Sequence, residues 1–314
     1  MIGPRSGEGR VQVTGGEVWY KVVGNGPGVP LLVVHGGPGF PHDYLEPLQV
    51  FGKERPIVFY DQLGCGNSDR PSDLSLWSLG RFVEELVLVK QHLGLEDVHL
   101  FGHSWGSILV VNYYASLRPR GIRSMILSSP SLSIPRSYED MRGYLEKMPS
   151  ELREAVRLGE LSGDTSGPDF KRAVRAYNRR HLCRVEPPPE CMKRAHSKSS
   201  REIADHFLGW RDFKITGHMH DFDCTDQLTR IDVPTLFICG EHDDACPEST
   251  RYYHRLVPGS ELEIVKDASH NPQLENPVDF LGIVGSFLGK IDAADMEGSV
   301  QKEMDDGARA PKGF

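Results

Sequence analysis

A serine between two glycines carries the strongest chemical signal in the sequence. The motif Gly102-His103-Ser104-Trp105-Gly106 follows the apolar run Val98 to Phe101 and precedes a helix-length stretch, Ile108 to Leu117. The glycines permit a sharp turn between a strand and a helix, which lifts the serine hydroxyl above the sheet at the positive end of the helix. We therefore predict that Ser104 is a nucleophile.

A serine hydroxyl needs an adjacent base, and that base needs an acid to orient it. After such a turn the partners are expected in the order acid and then histidine, each on the loop that follows a later strand. His270 comes after the predicted strand Leu262 to Val265 and is the predicted base. Asp243 and Asp244 both come after the strand Thr235 to Cys239. The offset from the strand end favours Asp243 as the acid, and Asp244 is the alternative.

Acyl transfer also requires hydrogen-bond donors for the charge that develops on the reacting oxygen. A glycine-dense loop, His35-Gly36-Gly37-Pro38-Gly39, follows the strand Leu31 to Val34. Its alternative interpretation is a plain turn, but its place at the carboxyl end of a core strand favours a functional role. The main-chain N–H groups of Gly37 and Trp105 are the predicted oxyanion donors.

The segments around these residues predict the fold. Strand-length apolar runs alternate with helical patterns before residue 130 and again after residue 230, as is typical of parallel strands buried on both faces. The runs Val11 to Val13 and Val18 to Val23 flank Gly15-Gly16 and predict a β-hairpin. We therefore predict an α/β fold with a mostly parallel sheet and helices on both faces.

The middle of the chain breaks this alternation, and its best signals are helical. Ser137 is the predicted N-cap of one helix, and Gly167-Pro168-Asp169 opens another. We interpret the segment as a helical cap inserted into one core. The predicted divisions are the first part of the core (1–130), the cap (131–230), the second part of the core (231–290) and a polar C-terminal tail (291–314).

Composition excludes several classes of protein. The 314 residues include 36 Lys and Arg against 44 Asp and Glu, a net charge of −8 that argues against a general nucleic-acid binder. No apolar run approaches the length of a membrane span, and no signal peptide is visible. The six cysteines are scattered without a C-x-x-C pair, which favours reduced thiols and a cytoplasmic location over a disulfide framework or a zinc site.

One local charge imbalance leaves two interpretations open. Between Lys171 and Arg201 ten basic residues stand against Glu186 and Glu190. The run is either a solvated helical face within the cap or a patch for an acidic ligand, such as a nucleic acid or an acidic substrate. The run lacks interleaved aromatic residues of the kind that stack on bases, so the solvated face is favoured.

Together, the motifs resemble those of a known enzyme family. The segments His35 to Gly39, Asp61 to Ser68 and Gly102 to Gly106, followed by Gly240 to Pro247 and Ser269-His270, are similar to those of the proline iminopeptidases (prolyl aminopeptidases). The similarity spans about residues 10 to 289. It implies an α/β-hydrolase fold with a helical cap. It also implies a serine exopeptidase that removes an N-terminal residue, often proline, from short peptides.

The resemblance also implies how the substrate is recognised. Asp212 and Asp244 match family positions where acidic residues, usually Glu, bind the free α-amino group of the substrate. A solvated surface acid is the alternative for each. The sequence departs from the family at His103, where a small or amide residue is usual, and at Ser107, which replaces a common glycine.

The predicted function is therefore acyl transfer from an N-terminal residue, with no metal and no organic cofactor. The alternative is an amino-acid amidase or esterase that acts on a small aminoacyl metabolite. Dehalogenases and epoxide hydrolases need a carboxylate where Ser104 stands, and a non-catalytic binding protein would not need the whole set of catalytic residues. The expected partner is a small peptide or amino-acid amide, with neither nucleic acid nor membrane. Tyr138 and Tyr144 either line a proline pocket or belong to the core of the cap, and the oligomeric state is left open.

Overall fold

The computed structural model describes residues 4–209 and 213–308. Its centre is a single sheet of eight strands. The strands are β1 (Gly7–Val13), β2 (Gly16–Val23), β3 (Leu31–Val34), β4 (Ile57–Tyr60), β5 (Val98–His103), β6 (Ile122–Ser128), β7 (Thr235–Gly240) and β8 (Glu261–Val265). Their spatial order is β1-β2-β4-β3-β5-β6-β7-β8.

Strand pairing confirms the predicted mixture of hairpin and parallel strands. β1 and β2 form an antiparallel hairpin, and β2 pairs antiparallel with β4. The remaining neighbours are parallel, and β3, β4 and β5 are buried along their whole length. Because β3 and β5 are adjacent, with Val34 opposite Gly102, the glycine-dense loop and Ser104 emerge side by side at the carboxyl edge of the sheet.

Helices cover both faces of the sheet and form the cap. They are α1 (Leu79–His92), α2 (Trp105–Leu117), α3 (Ile134–Glu146), α4 (Ser150–Ser162), α5 (Pro168–His181), α6 (Glu190–Ser197), α7 (Arg201–Phe207), α8 (Pro247–Arg255), α9 (Pro272–Glu275) and α10 (Pro277–Ala308). Side chains of α1, α2 and α8 pack on one face of the sheet, and side chains of α10 pack on the other. Among the described residues, no helix has both the length and the apolar character needed to cross a bilayer.

Helices α3 to α7 lie between β6 and β7, which confirms a helical insertion in one α/β core. The insertion has its own hydrophobic cluster, which includes Met141, Phe170 and Tyr177. Tyr138 and Tyr144 are partly buried against this cluster, so they belong to the core of the cap.

The start of α3 corrects one prediction. The N-cap is Ser133, whose hydroxyl accepts a hydrogen bond from the Arg136 N–H. Ser137 lies inside the helix, and its hydroxyl donates to the main-chain oxygen of Ser133 (3.0 Å). The prediction of Ser137 as the N-cap is wrong because Pro135, whose ring fixes a helical φ, already belongs to the first turn.

The start of α5 and the end of α10 also bear on the predictions. α5 begins at Pro168 with Gly167 as its N-cap, as predicted. α10 continues to Ala308, so the segment assigned as a polar tail, for which no structure was predicted, continues this helix through most of its length.

Candidate active site

Ser104 occupies a sharp turn of one residue between β5 and α2. Its φ of 53° lies in the left-handed region, which a residue with a side chain adopts only when the surrounding structure enforces it. A Cβ atom on Gly106 would lie 2.1 Å from the Val34 oxygen, and one on Gly102 would lie 2.7 Å from the Gly106 oxygen. Both glycines are therefore needed for the turn that raises the Ser104 side chain above the sheet.

A cavity of about 1130 Å³ lies between the cap and the carboxyl edge of the sheet. Its lining brings together residues that are far apart in the sequence and that the motifs predicted as functional. These residues are Gly37, Ser104, Trp105, Asp244 and His270. The site is thus assembled from four different loops of one sheet edge.

Asp243 lies behind His270 and is fully buried. Its Oδ1 atom is 2.7 Å from Nδ1 of His270. The carboxylate also accepts hydrogen bonds from the N–H groups of Ala245 (2.9 Å) and Gly240 (3.3 Å). These contacts hold the carboxylate in one orientation and let it fix the His270 tautomer with hydrogen on Nδ1, which leaves Nε2 free to act as a base.

Asp244 also approaches His270, but unlike Asp243 it lines the cavity. Its Oδ1 atom lies 2.8 Å from Nδ1 of His270, yet this oxygen has no partner in hydrogen-bond geometry among the described residues. Burial alone would lower the pKa of His270, but the charges of Asp244 and Asp243 outweigh it and hold that pKa well above its ordinary value. Asp244 therefore lies beside His270 at the wall of the cavity, where its carboxylate can pair with the charged form of the imidazole ring.

The two predicted oxyanion donors also face this cavity. Gly37 and Trp105 line it, and within the described chain neither main-chain N–H takes part in a hydrogen bond. The Trp105 N–H is at the first turn of α2, where the helix itself has no acceptor for it. Trp105 is buried and Gly37 is exposed, so one donor belongs to the cavity floor and the other is open to an entering ligand. Two N–H groups without a partner at a cavity wall are suited to bind a substrate oxygen.

The cap contacts the loops that carry Asp244 and His270 through His181, a residue that no sequence motif indicates. The main-chain oxygen of His181, the last residue of α5, accepts hydrogen bonds from the N–H groups of Asp244 and His270, each at 3.2 Å. The His181 ring contacts the main-chain oxygen of His242 through Nδ1 (2.7 Å). No local pattern signals this role, because the partners lie more than 60 residues away along the chain.

His103 forms a second connection to His270. The Gly36 N–H donates to the Tyr44 hydroxyl (2.8 Å), which in turn lies 2.9 Å from Nδ1 of His103. Because Tyr44 accepts from Gly36, its hydroxyl hydrogen is assigned to His103 Nδ1, and Nε2–H then donates to the main-chain oxygen of His270 (2.8 Å). Burial, reinforced by the charge of His270, lowers the pKa of His103 to about 3, so this ring is neutral.

Gln62, which follows Asp61 in the second motif, supports the turn at Ser104. The Gln62 side-chain oxygen accepts a hydrogen bond from the indole N–H of Trp105 (2.9 Å), and the Gln62 N–H donates to Nε2 of His35 (2.9 Å). Ser107, whose hydroxyl donates to the Gly102 oxygen (2.8 Å), is fully buried. These buried contacts join the three motifs into one rigid support.

The described donors that could hold a metal ion near the site are Asp243, Asp244 and His270. The only imidazole nitrogen directed at the two carboxylates is His270 Nδ1, and its hydrogen is assigned to Asp243. The arrangement fits an acid and base pair better than a metal centre. Asp212, the other residue predicted to bind the substrate amine, lies outside the described residues.

Comparisons with known proteins cover almost the whole chain. A family model for the alpha/beta hydrolase fold matches residues 29–277. The chain is 40% identical over 286 residues to a proline iminopeptidase of Heyndrickxia coagulans, covering 90% of this chain and 99% of the relative. A proline iminopeptidase of Lactobacillus acidophilus is 32% identical over 290 residues, with coverage of 91% and 99%.

A solved structure indicates the same family. The crystal structure of a proline iminopeptidase from Mycobacterium smegmatis superposes with a TM-score of 0.86 at 29% identity, and the match covers 92% of this chain and 100% of that one. The matched region spans both parts of the core and the cap, which confirms the α/β-hydrolase fold and the resemblance first seen in the motifs. The chain belongs to the proline iminopeptidase family of α/β hydrolases.

Proposed function

We propose that this protein releases N-terminal proline from short peptides through an acyl-enzyme formed on Ser104. The protein is a serine aminopeptidase of the proline iminopeptidase type. One observation carries the assignment of its residues. Ser104 and His270 line the same cavity, and the buried Asp243 contacts His270 at 2.7 Å on the side away from Nε2.

In the first half of the reaction, the Ser104 hydroxyl attacks the carbonyl carbon of the N-terminal residue. Nε2 of His270 takes the hydroxyl proton as the bond to carbon forms, and Asp243 stabilises the resulting imidazolium. The carbonyl oxygen becomes negatively charged and receives hydrogen bonds from the N–H groups of Gly37 and Trp105.

The second half of the reaction releases the products. His270 returns the proton to the peptide nitrogen, the C–N bond breaks, and a peptide shortened by one residue leaves. Water then attacks the ester on Ser104 while His270 takes one of its protons. Breakdown of this second intermediate returns a proton to Ser104 and frees the N-terminal residue, so no external reagent besides water is consumed.

Recognition of a free amine explains why the enzyme would act only at the N-terminus. We assign this role to Asp244 and Asp212. The position of Asp244 at the cavity wall supports its part, because its carboxylate can pair with a substrate ammonium while the neutral His270 acts as the base. When His270 is neutral, a blocked N-terminus would leave the largely buried carboxylate of Asp244 without a counter-charge, which disfavours binding by roughly several kcal/mol.

A cytoplasmic location stays a prediction. It is supported by the six cysteines, all of which are free thiols in the structure. Fractionation of cells that produce the native protein would test it.

Covalent labelling tests the assignment of the nucleophile. A fluorophosphonate reagent should label the wild-type protein, and the protein should liberate free proline from Pro-Ala-Ala. Ser104→Ala should abolish both results, whereas Ser131→Ala, which alters another serine of the cavity lining, should preserve both. A folded wild-type protein that is not labelled, or labelling that survives in Ser104→Ala, would overturn the proposal.

A further inference from the structure

The basic run of the cap supplies one wall of the active-site cavity. Four of its members line the cavity: Arg172, Arg175 and Arg179 on α5, and Arg201 on α7. The three on α5 follow the spacing of one helical face, and the opposite face of the helix, with Phe170, Ala173 and Tyr177, is buried in the core of the cap. We call these four residues the arginine wall.

Nearby acids balance the arginine wall only in part. Three of its members have a carboxylate partner at the surface: Arg172 with Asp169 (3.4 Å), Arg179 with Glu186 (3.0 Å) and Arg201 with Asp205 (3.6 Å). Arg175 forms no ion pair with any residue that the structure describes, although it lines the cavity. A guanidinium without a partner at a cavity wall is suited to bind an anion.

The direction of α5 relates the wall to the reacting groups. The helix ends at His181, whose main-chain oxygen binds the N–H groups of Asp244 and His270. At 1.5 Å per residue, Arg179, Arg175 and Arg172 lie roughly 3, 9 and 14 Å back along the axis from His181. The positive charges therefore extend away from the catalytic end of the cavity.

An extended peptide advances roughly 3.3 Å per residue, so a substrate that extends from Ser104 along α5 would pass the wall with about the first four residues after the cleaved bond. The cavity thus has the Asp244 carboxylate beside the His181 end of α5 and guanidinium groups along the preceding turns of that helix. This separation of charge is complementary to a short peptide with a positive N-terminus and a negative group a few residues later.

We propose that the arginine wall, with Arg175 as its principal contact, binds a carboxylate of the substrate on the leaving side of the cleaved bond. The inference rests on the proposed function, because it takes the direction of the substrate from the acyl-enzyme mechanism. The carboxylate is either the C-terminus of a short peptide or an Asp or Glu side chain within its first residues, since both present the same chemistry to a guanidinium.

Matched peptides test the inference by the rate at which free proline is released. Pro-Ala-Ala with a free C-terminus is compared with its C-terminal amide, and Pro-Ala-Glu amide is compared with Pro-Ala-Gln amide. The wild-type enzyme should favour the charged member of at least one pair in kcat/KM by about threefold to tenfold at low salt. The pair that shows the preference identifies the source of the carboxylate.

Two variants of α5 separate a specific contact from general charge. Arg175→Gln should reduce the preference to less than about twofold, and salt should reduce it in the wild-type enzyme because the wall is open to solvent. Arg180→Gln removes the same charge from an exposed position that, in the described chain, is not part of the cavity lining, and it should keep the preference.

The outcomes distinguish this inference from the proposed function. Equal kcat/KM values within both pairs, or an unchanged preference in Arg175→Gln, would overturn the role of the arginine wall while leaving the aminopeptidase activity in place. If the enzyme releases proline from none of the four peptides, the proposed function is contradicted instead.

Discussion

Nε2 of His103 lies 2.8 Å from the main-chain oxygen of His270, although the two residues are 167 positions apart in the sequence. The contact joins the residue before the proposed nucleophile to the backbone of the proposed base. Through the Tyr44 hydroxyl the same ring is also connected to Gly36, next to the proposed oxyanion donor Gly37. His103 therefore ties three parts of the site to each other.

Removal of this ring should lower activity without removing any reacting group. We expect His103→Ala to lower kcat by about tenfold to a hundredfold, because the loops that carry His270 and Gly37 lose a shared support and small displacements are costly. His103→Gln, whose amide can still donate to the His270 oxygen, should recover part of the loss. Steady-state kcat and KM are the measurements, and a kcat for His103→Ala within twofold of wild type would disprove the role.

The neighbouring acids Asp243 and Asp244 should differ in their effects. Asp243→Asn should lower kcat by roughly 10³- to 10⁴-fold, because an amide cannot hold the Nδ1–H tautomer of His270 in the same way. Asp244→Asn should act mainly on KM for substrates with a free amine. Kinetics on prolyl-naphthylamide would distinguish them, and a larger loss of kcat in Asp244→Asn would exchange the two assignments.

The raised pKa of His270 predicts the pH dependence of activity. The base must be neutral to accept the Ser104 proton, so kcat/KM should fall as the pH drops through this pKa, with a midpoint above the ordinary value of 6.5. Asp244→Asn removes the largest raising contribution and should move the midpoint to lower pH. A midpoint of the fall in kcat/KM at or below pH 6.5, or a midpoint that Asp244→Asn does not shift, would contradict the raised pKa of His270.

The same pKa shift predicts that stability changes with pH in the opposite direction to activity: activity should rise with pH, and stability should fall. A histidine whose pKa is higher in the folded state contributes its full stabilisation below the unfolded pKa, near 6.5, and loses it as the pH rises through the folded value. The free energy of unfolding should therefore decrease over this interval, and the decrease should be smaller in His270→Gln. Urea unfolding at a series of pH values measures it.

The close packing of the turn at Ser104 provides a prediction about stability. Gly106→Ala places a Cβ atom 2.1 Å from the Val34 oxygen and should lower the free energy of unfolding by about 1–3 kcal/mol, with a fall in kcat as the Trp105 N–H is displaced. Gly143→Ala, on α3, meets no atom within 4 Å and should leave stability unchanged or raise it by up to about 1 kcal/mol. Equal urea midpoints for the two variants would contradict the close packing of the turn.

Local patterns in the sequence were sufficient for the fold and for the order of the candidate catalytic residues. The buried strands are continuous apolar runs, and the turn at Ser104 needs glycines at fixed positions, so both leave a local signal. The supports supplied by His181 and Tyr44 leave none, because each depends on a contact between distant segments. The N-cap of α3 lies four residues before the predicted position, because the prediction rests on the apolar residues from Met141 onward, whereas the buried face of the helix already begins at Ile134 in its first turn.

The basic run between Lys171 and Arg201 shows a second limit of prediction from the sequence. Its composition favours a solvated helix face over a ligand patch, and only the folded structure separates the arginines that line the cavity from the others. Arg194 and Lys198 contact the buried carboxylate of Asp43 and thereby hold α6 against the core. One run of charge thus contributes both to the docking of the cap and to the wall of the cavity.

The most direct test of amine recognition and of hydrolysis at Ser104 compares free and acetylated substrates. The measurement is kcat/KM of the wild-type enzyme for prolyl-naphthylamide and for N-acetyl-prolyl-naphthylamide, with Ser104→Ala as the control for background hydrolysis. Acetylation should lower kcat/KM by at least about a hundredfold, because the largely buried carboxylate of Asp244 then lacks a counter-charge when His270 is neutral, and Ser104→Ala should cleave neither substrate. Equal rates on the two substrates, or cleavage by Ser104→Ala, would contradict this prediction.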